Sequence, residues 1–134
     1  MKNAEAVEGV QELGTALELE KDPAVIECFD ISNISGTYAV ASMVCAVNGM
    51  PRKNRYRRFR IKTVEGIDDP AMMAEAIQRR YARLLKENRP LPDLVIVDGG
   101  ITQLRAATEQ LHALNLHDLP ITGLAKQFEE LHVG

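Results

Sequence analysis

The chain has 134 residues, 46% of them hydrophobic and 26% charged. That fits one soluble globular domain burying roughly 65–70% of its unfolded surface without disulfides or metals. No apolar run approaches the roughly 20 residues needed to span a bilayer, and the glutamate-containing N-terminus lacks the basic-then-apolar order of a signal peptide. A net charge of −3 argues against a surface built uniformly for nucleic acid, so any such contact must come from segregated charge.

In chain order, Ala6, Val10, Leu13 and Leu17 recur at helical spacing and predict a helix over 5–18, softened by Gly9 and Gly14 and closed by Pro23. A strand follows over 24–30. After the turn "SNISG", residues 37–47 predict a second strand, rich in β-branched and small residues. "NGMP" marks a tight turn, and 55–64 predict a third strand with a basic start. The period then changes. Met73, Ile77, Tyr81 and Leu84 form one face of a helix over 71–86 that ends near Asn88-Arg89-Pro90. A fourth strand over 93–98, a helix over 101–114 and a fifth strand over 119–126 complete the chain. Cys28 and Cys45 lie in strand-like runs outside any CxxC pair and read as reduced core thiols of a cytoplasmic protein. His112, His117 and His132 lack metal-ligand spacing and read as surface or helix-end groups.

The order β-β-β-α-β-α-β combines hairpins with a crossover unit, which predicts a mixed sheet with helices on its faces. Two of its apolar strands release an aspartate: Asp30 after "AVIECF" and Asp98 after "LVIV". Ligands gather outside the carboxyl ends of strands in such sheets. If the two strands are neighbours, the carboxylates converge, and their repulsion is relieved by a bridging cation. Mg²⁺ or Mn²⁺, which prefer hard oxygen ligands, suit such a pair. The run "RKNRYRRFRIK", residues 52–62, holds seven of the sixteen Lys and Arg and no acid, so with a net charge of −3 the rest of the chain carries −10. Tyr56 and Phe59 interleave with these arginines, as on surfaces that meet a nucleic-acid backbone. Arg57 and Arg58 must point to opposite faces of a strand, so the seven charges cannot all meet one line of phosphates.

The element order and the placement of the acids resemble the ribonuclease-H-like nucleases. "IECFDIS", "YRRFRIK", "DD" at 68–69 followed by "AMM", "RRYARLL", "LPDLVIVDGG", "QL" at 103–104 and "GLAK" at 123–126 together resemble the C-terminal endonuclease domain of UvrC, from about Ile26 to the end. The resemblance implies an RNase H-like α/β fold, a mixed sheet of three antiparallel strands plus two parallel, flanked by helices. It would occupy 24–134 after a helix and linker over 1–23. It implies a role in nucleotide excision repair, in which Mg²⁺ or Mn²⁺ assists hydrolysis of a DNA phosphodiester 5′ to a lesion. Damaged double-stranded DNA would be the substrate, UvrA and UvrB the partners, and the cytoplasm the location. The family's acids fall on Asp30, Asp69 and Asp98, with Asp30 and Asp98 as metal ligands. Arg55, Arg57, Arg58, Arg60 and Lys126 are the candidate DNA contacts. The family carries a histidine on a later helix, which would begin beyond Gly134, and His132 is not assigned to that role. The N-terminal nuclease domain, the UvrB-binding segment and the helix-hairpin-helix domains are likewise expected outside this chain. Ile101 stands where many relatives have lysine, Pro70 where an aromatic is frequent, and Asn33 where some have histidine.

Plainer roles compete. Asp98 before Gly99-Gly100 fits a helix cap, Asp30 fits an Asx turn, and Asp69 before Pro70 fits the N-cap/N1 signature. The basic run fits a solvated strand face, and Lys126 fits a side chain snorkelling from a buried strand. Two rival functions follow. One is a non-catalytic DNA-binding or assembly module on a degenerate nuclease fold, and the other is a nucleotide-binding domain using Gly99-Gly100.

Overall fold

A computed structural model describes residues 2–34, 38–64, 66 and 68–124. The elements are α1 (Lys2–Ala16), β1 (Val25–Ile34), β2 (Tyr38–Val47), β3 (Met50–Pro51), a 3-10 turn (Lys53–Arg55), β4 (Arg57–Arg60), α2 (Asp69–Lys86), β5 (Leu94–Asp98), α3 (Ile101–Ala113) and β6 (Ile121–Gly123). They form one mixed sheet in the order β3-β2-β1-β5-β6, and β4 also pairs with β2. β1 runs antiparallel to β2 and parallel to β5, which is parallel to β6. The antiparallel-then-parallel sheet with flanking helices matches the architecture expected from the element order.

Two boundaries differ from expectation. The basic segment does not make one strand over 55–64. β3 pairs with Ala46 and Val47, the chain then leaves the sheet through the 3-10 turn, and β4 returns to pair with residues 40–43 of β2. Arg52 to Tyr56 contains no apolar alternation to hold it against β2. β1 also continues four residues past Asp30, but only β2 accompanies it there, because pairing with β5 stops at Asp30. The "NGMP" turn is a two-residue hairpin loop with both φ values positive, Asn48 at 52° and Gly49 at 79°, the geometry that suits the twist of the flanking strands. Gly49 is required for a second reason: a Cβ there would meet the Ala6 carbonyl oxygen at 2.5 Å.

Strand side chains alternate between faces, and the core shows which face is which. Phe29, Ala41, Met43, Val95 and Val97 point at α2 and α3, where Met73, Ala76, Ile77, Tyr81, Ala107 and Leu111 meet them, all at most 1% exposed. Each large apolar side chain buried there contributes about 1.5–3 kcal/mol. Phe29 is the hub, stacked with Phe59 at 6.5 Å and edge-on to Tyr81 at 5.9 Å between ring centroids.

One charged residue shares this face. Glu27, 4% exposed, accepts hydrogen bonds from Arg80 Nη2 at 2.8 Å, Arg80 Nε at 3.3 Å and Tyr81 Oη at 2.8 Å. Burial first, then the Glu27 charge, push the Tyr81 hydroxyl well above its ordinary pKa, so it remains a donor. A second buried carboxylate, Glu75 of α2, ties the segment after β4 to the helix. It accepts from the backbone N–H groups of Lys62 and Thr63, from Thr63 Oγ1 at 2.6 Å and from Arg79 at 3.1 Å.

Candidate active site

The register of β1 and β5 sets the site. Asp30 is directly opposite Asp98 in the parallel ladder, which puts neighbouring backbones about 4.8 Å apart and both side chains on one face. As even-numbered partners of helix-facing Phe29 and Val97, they point to the face away from α2 and α3. Both are exposed. Partial burial first, and the Asp98 charge next, raise the Asp30 carboxyl above its ordinary pKa. A backbone hydrogen bond at Ile31 opposes this, and Asp69 adds to it. Cys28, two residues earlier on the same face, is pushed up to about 11 by burial, then by Asp98 and Asp30. The thiol is thus inert and in the field of both carboxylates.

Asp69 opens α2, and the competing roles now separate. The N-cap is Asp68, whose side chain accepts from the Ala71 N–H at 3.1 Å. Asp69 is therefore not needed for capping. Its Oδ1 is buried with no hydrogen-bond partner among the described residues, and its charge reaches Asp30. Asp98 is not a cap either, since α3 takes Gly100 as N-cap without any side-chain cap bond. The structure therefore brings Asp30, Asp98 and Asp69 towards one region and leaves them without an ion pair among the described residues.

The basic candidates are sorted between the faces. Arg58 and Arg60 of β4 pair with Ser42 and Val40 and so share the carboxylate face, Arg60 lying over the Tyr38 ring at 4.4 Å. Arg57 pairs with helix-facing Met43, and its guanidinium is bound to the backbone oxygens of Asn54 and Tyr56 at 3.2 and 2.8 Å. Arg55 sits beside the buried thiol of Cys45, which belongs to the helix-facing set. Lys126 and His132 lie outside the described residues. His112 and His117 pack their rings at 4.8 Å and are exposed.

Sequence reasoning missed two neighbours of the carboxylates. Gln103 folds over Gly99, where an added Cβ would meet its Cδ at 2.5 Å, and its Oε1 is buried without a partner among the described residues. Ser42 is the β2 partner of Asp30; the one serine in the run "YAVASMVCAV" was the available signal. A cleft of about 730 Å³ opens at the opposite end of the strands, near Leu19, Leu91, Asp93 and Leu119. It lies away from the paired carboxylates, which are exposed.

Two adjacent carboxylates with no basic partner among the described residues suit a hard divalent cation. Among the described residues no three His, Cys, Asp or Glu converge into a complete ligand set. The fit is thus to an ion that keeps much of its water, as Mg²⁺ does.

Solved structures with a similar fold include chains of endonuclease V. Endonuclease V of Ciona intestinalis, in complex with a 23mer DNA containing an inosine, superposes with a TM-score of 0.55 at 17% identity, over 90% of this chain and 55% of that one. That likeness is one of fold, a mixed sheet flanked by helices. The UvrC RNAse H endonuclease domain model matches residues 14–133, and the chain belongs to that family. It is 53% identical to the UvrABC system protein C of Methanococcoides burtonii over 129 residues, which is 96% of this chain and 21% of that protein. The counterpart in Koribacter versatilis is 48% identical over 121 residues, covering 90% of this chain and 20% of that protein. The chain therefore spans about a fifth of the length of these relatives.

Proposed function

We propose that this domain hydrolyses a phosphodiester of damaged double-stranded DNA, 5′ to the lesion, as the endonuclease part of a cytoplasmic nucleotide excision repair protein that works with UvrA and UvrB. The register that pairs Asp30 with Asp98 carries this reading. Asp30 and Asp98 would hold Mg²⁺ or Mn²⁺. Such an ion, when bound, supplies hydroxide at neutral pH and stabilises charge on the scissile phosphate. Asp69, whose charge reaches Asp30, would help to orient the attacking water. The basic segment would hold the DNA backbone, with Arg58 and Arg60 on the cleavage face and Arg55 and Arg57 at its outer edge. Lys126, at the end of the fifth strand expected from the sequence, would contact a phosphate.

The test is incision of a lesion-bearing duplex by the full-length protein. Asp30→Ala abolishes the 5′ cut while the circular dichroism spectrum is unchanged. Retained incision rejects the assignment.

A non-catalytic DNA-binding or assembly module is the second reading, and the lack of a complete three-residue ligand set among the described residues favours it. Mn²⁺ titrated into the domain separates the two. Binding that disappears in Asp30→Asn and Asp98→Asn supports the nuclease, and binding indifferent to both supports the inert module.

A further inference from the structure

The ladders that align Asp30 with Asp98 extend the same row further across the sheet. Asp30 is the partner of Ser42 on β2, and Ser42 is the partner of Arg58 on β4. Residues in register across neighbouring strands project from one face, so Asp98, Asp30, Ser42 and Arg58 form a transverse line over β5, β1, β2 and β4. The strands are about 4.8 Å apart, so the guanidinium-bearing end of the row starts about 10 Å from Asp30. The two negative groups stand at one end, a hydroxyl in the middle and a positive fork at the other.

The arginines of β4 are not equivalent. Arg57 is held by its own backbone and Arg60 by the Tyr38 ring, whereas Arg58 is exposed and has no ion pair or hydrogen bond among the described residues. A free guanidinium offers paired N–H donors that match a phosphate, and Ser42 adds a hydroxyl donor on the path between. Beside this row lies a second observation of a different kind. A concavity of about 200 Å³ is lined by Ile26 and Cys28 of β1, Val44, Cys45 and Ala46 of β2, Gly49 and Pro51 of the hairpin, and the Tyr56 ring. Apolar floor next to a line of donors is what a nucleotide presents its sugar or base to when its phosphate is gripped.

We propose that Ser42 and Arg58 form a phosphate subsite for the strand being cut. It would bind one particular phosphate next to the scissile one, with the attached nucleoside lying over Cys28, Val44 and Tyr56. The subsite deepens the cleavage reading and rests on it, because it takes Asp30 and Asp98 as the point of the cut. It fixes the direction of the bound strand, which runs across the sheet from β5 towards β4 instead of along the strands.

Incision kinetics of the full-length protein decide the matter, using lesion duplexes in which single phosphates flanking the cut are replaced by neutral methylphosphonates. For the unmodified protein, replacement at one fixed offset raises KM about 10-fold. Arg58→Gln raises KM about 10-fold on the all-phosphodiester duplex, leaves kcat within about twofold, and becomes insensitive to replacement at that same offset. Arg58→Lys recovers part of the loss, and Ser42→Ala shows a KM increase of about threefold at the same offset. A penalty for Arg58→Gln that stays the same whichever phosphate is neutralised overturns the subsite, as does an effect on kcat without one on KM. The cleavage reading fails separately. If Asp30→Asn still cuts while Arg58 remains coupled to one phosphate, the cation assignment falls and the subsite stands. If Asp30→Asn is dead and Arg58 couples to no phosphate, the subsite alone falls.

Discussion

The two faces of the sheet treat carboxylates in opposite ways. On the helix face, Glu27 and Glu75 are buried, and every oxygen finds donors: Arg80 and Tyr81 for the first, Lys62, Thr63 and Arg79 for the second. On the other face, Asp30 and Asp98 stand side by side with no basic partner among the described residues. A carboxylate whose counter-charge comes from the fold is a structural strut, and one whose counter-charge must come from outside is poised for a ligand.

The comparison breaks first at Glu27. Glu27→Gln strands Arg80, whose side chain is 12% exposed, and is expected to lower stability by about 3–5 kcal/mol in urea titration. A loss under about 1 kcal/mol shows that the helix face does not depend on its ion pair. Glu75→Gln comes next, at about 2–3 kcal/mol, because the amide turns a donor towards donors. Burial alone would raise Glu75, but the hydrogen bonds from Thr63, Lys62 and Arg79 outweigh it and hold the carboxyl below its ordinary value. Its contribution is therefore complete above the ordinary glutamate value of about 4.3 and is lost as pH falls through the lower folded value. The pH dependence of stability should flatten there in Glu75→Gln.

The smallest effect has the opposite sign. Asp30 is raised, by partial burial and then by Asp98, so in metal-free buffer its ionisation weakens the fold as pH rises past the ordinary aspartate value of about 3.9. Asp30→Asn should stabilise by a few tenths of a kcal/mol, since solvent screens an exposed pair. Added Mn²⁺ should reverse that ranking. A destabilised Asp30→Asn places Asp30 among the struts.

Much of the fold was legible because its strands obey simple alternation and its long helix keeps one apolar face: Met73, Ile77, Tyr81 and Leu84 all proved buried. The basic segment was misread as one strand because arginines carry no in-or-out signal, and only the pairing with β2 shows where the chain leaves the sheet. The aspartates at strand ends were visible in sequence, but their adjacency was not, since strand order is a tertiary fact. Glu27 was the clearest missed signal. A glutamate in the same phase as Phe29 in an otherwise apolar run asks for a buried cation, and Arg80 beside Tyr81 on the longest helix was there to answer.

The parallel ladder that joins Asp30 to Asp98 links residues on either side of the whole α2 crossover, so neither the hairpin half of the chain nor the helical half holds both carboxylates on its own. Closing that long loop is slow relative to forming the local hairpin. Nascent or partly unfolded chains therefore present the arginines of β4 before β5 brings the second carboxylate beside the first.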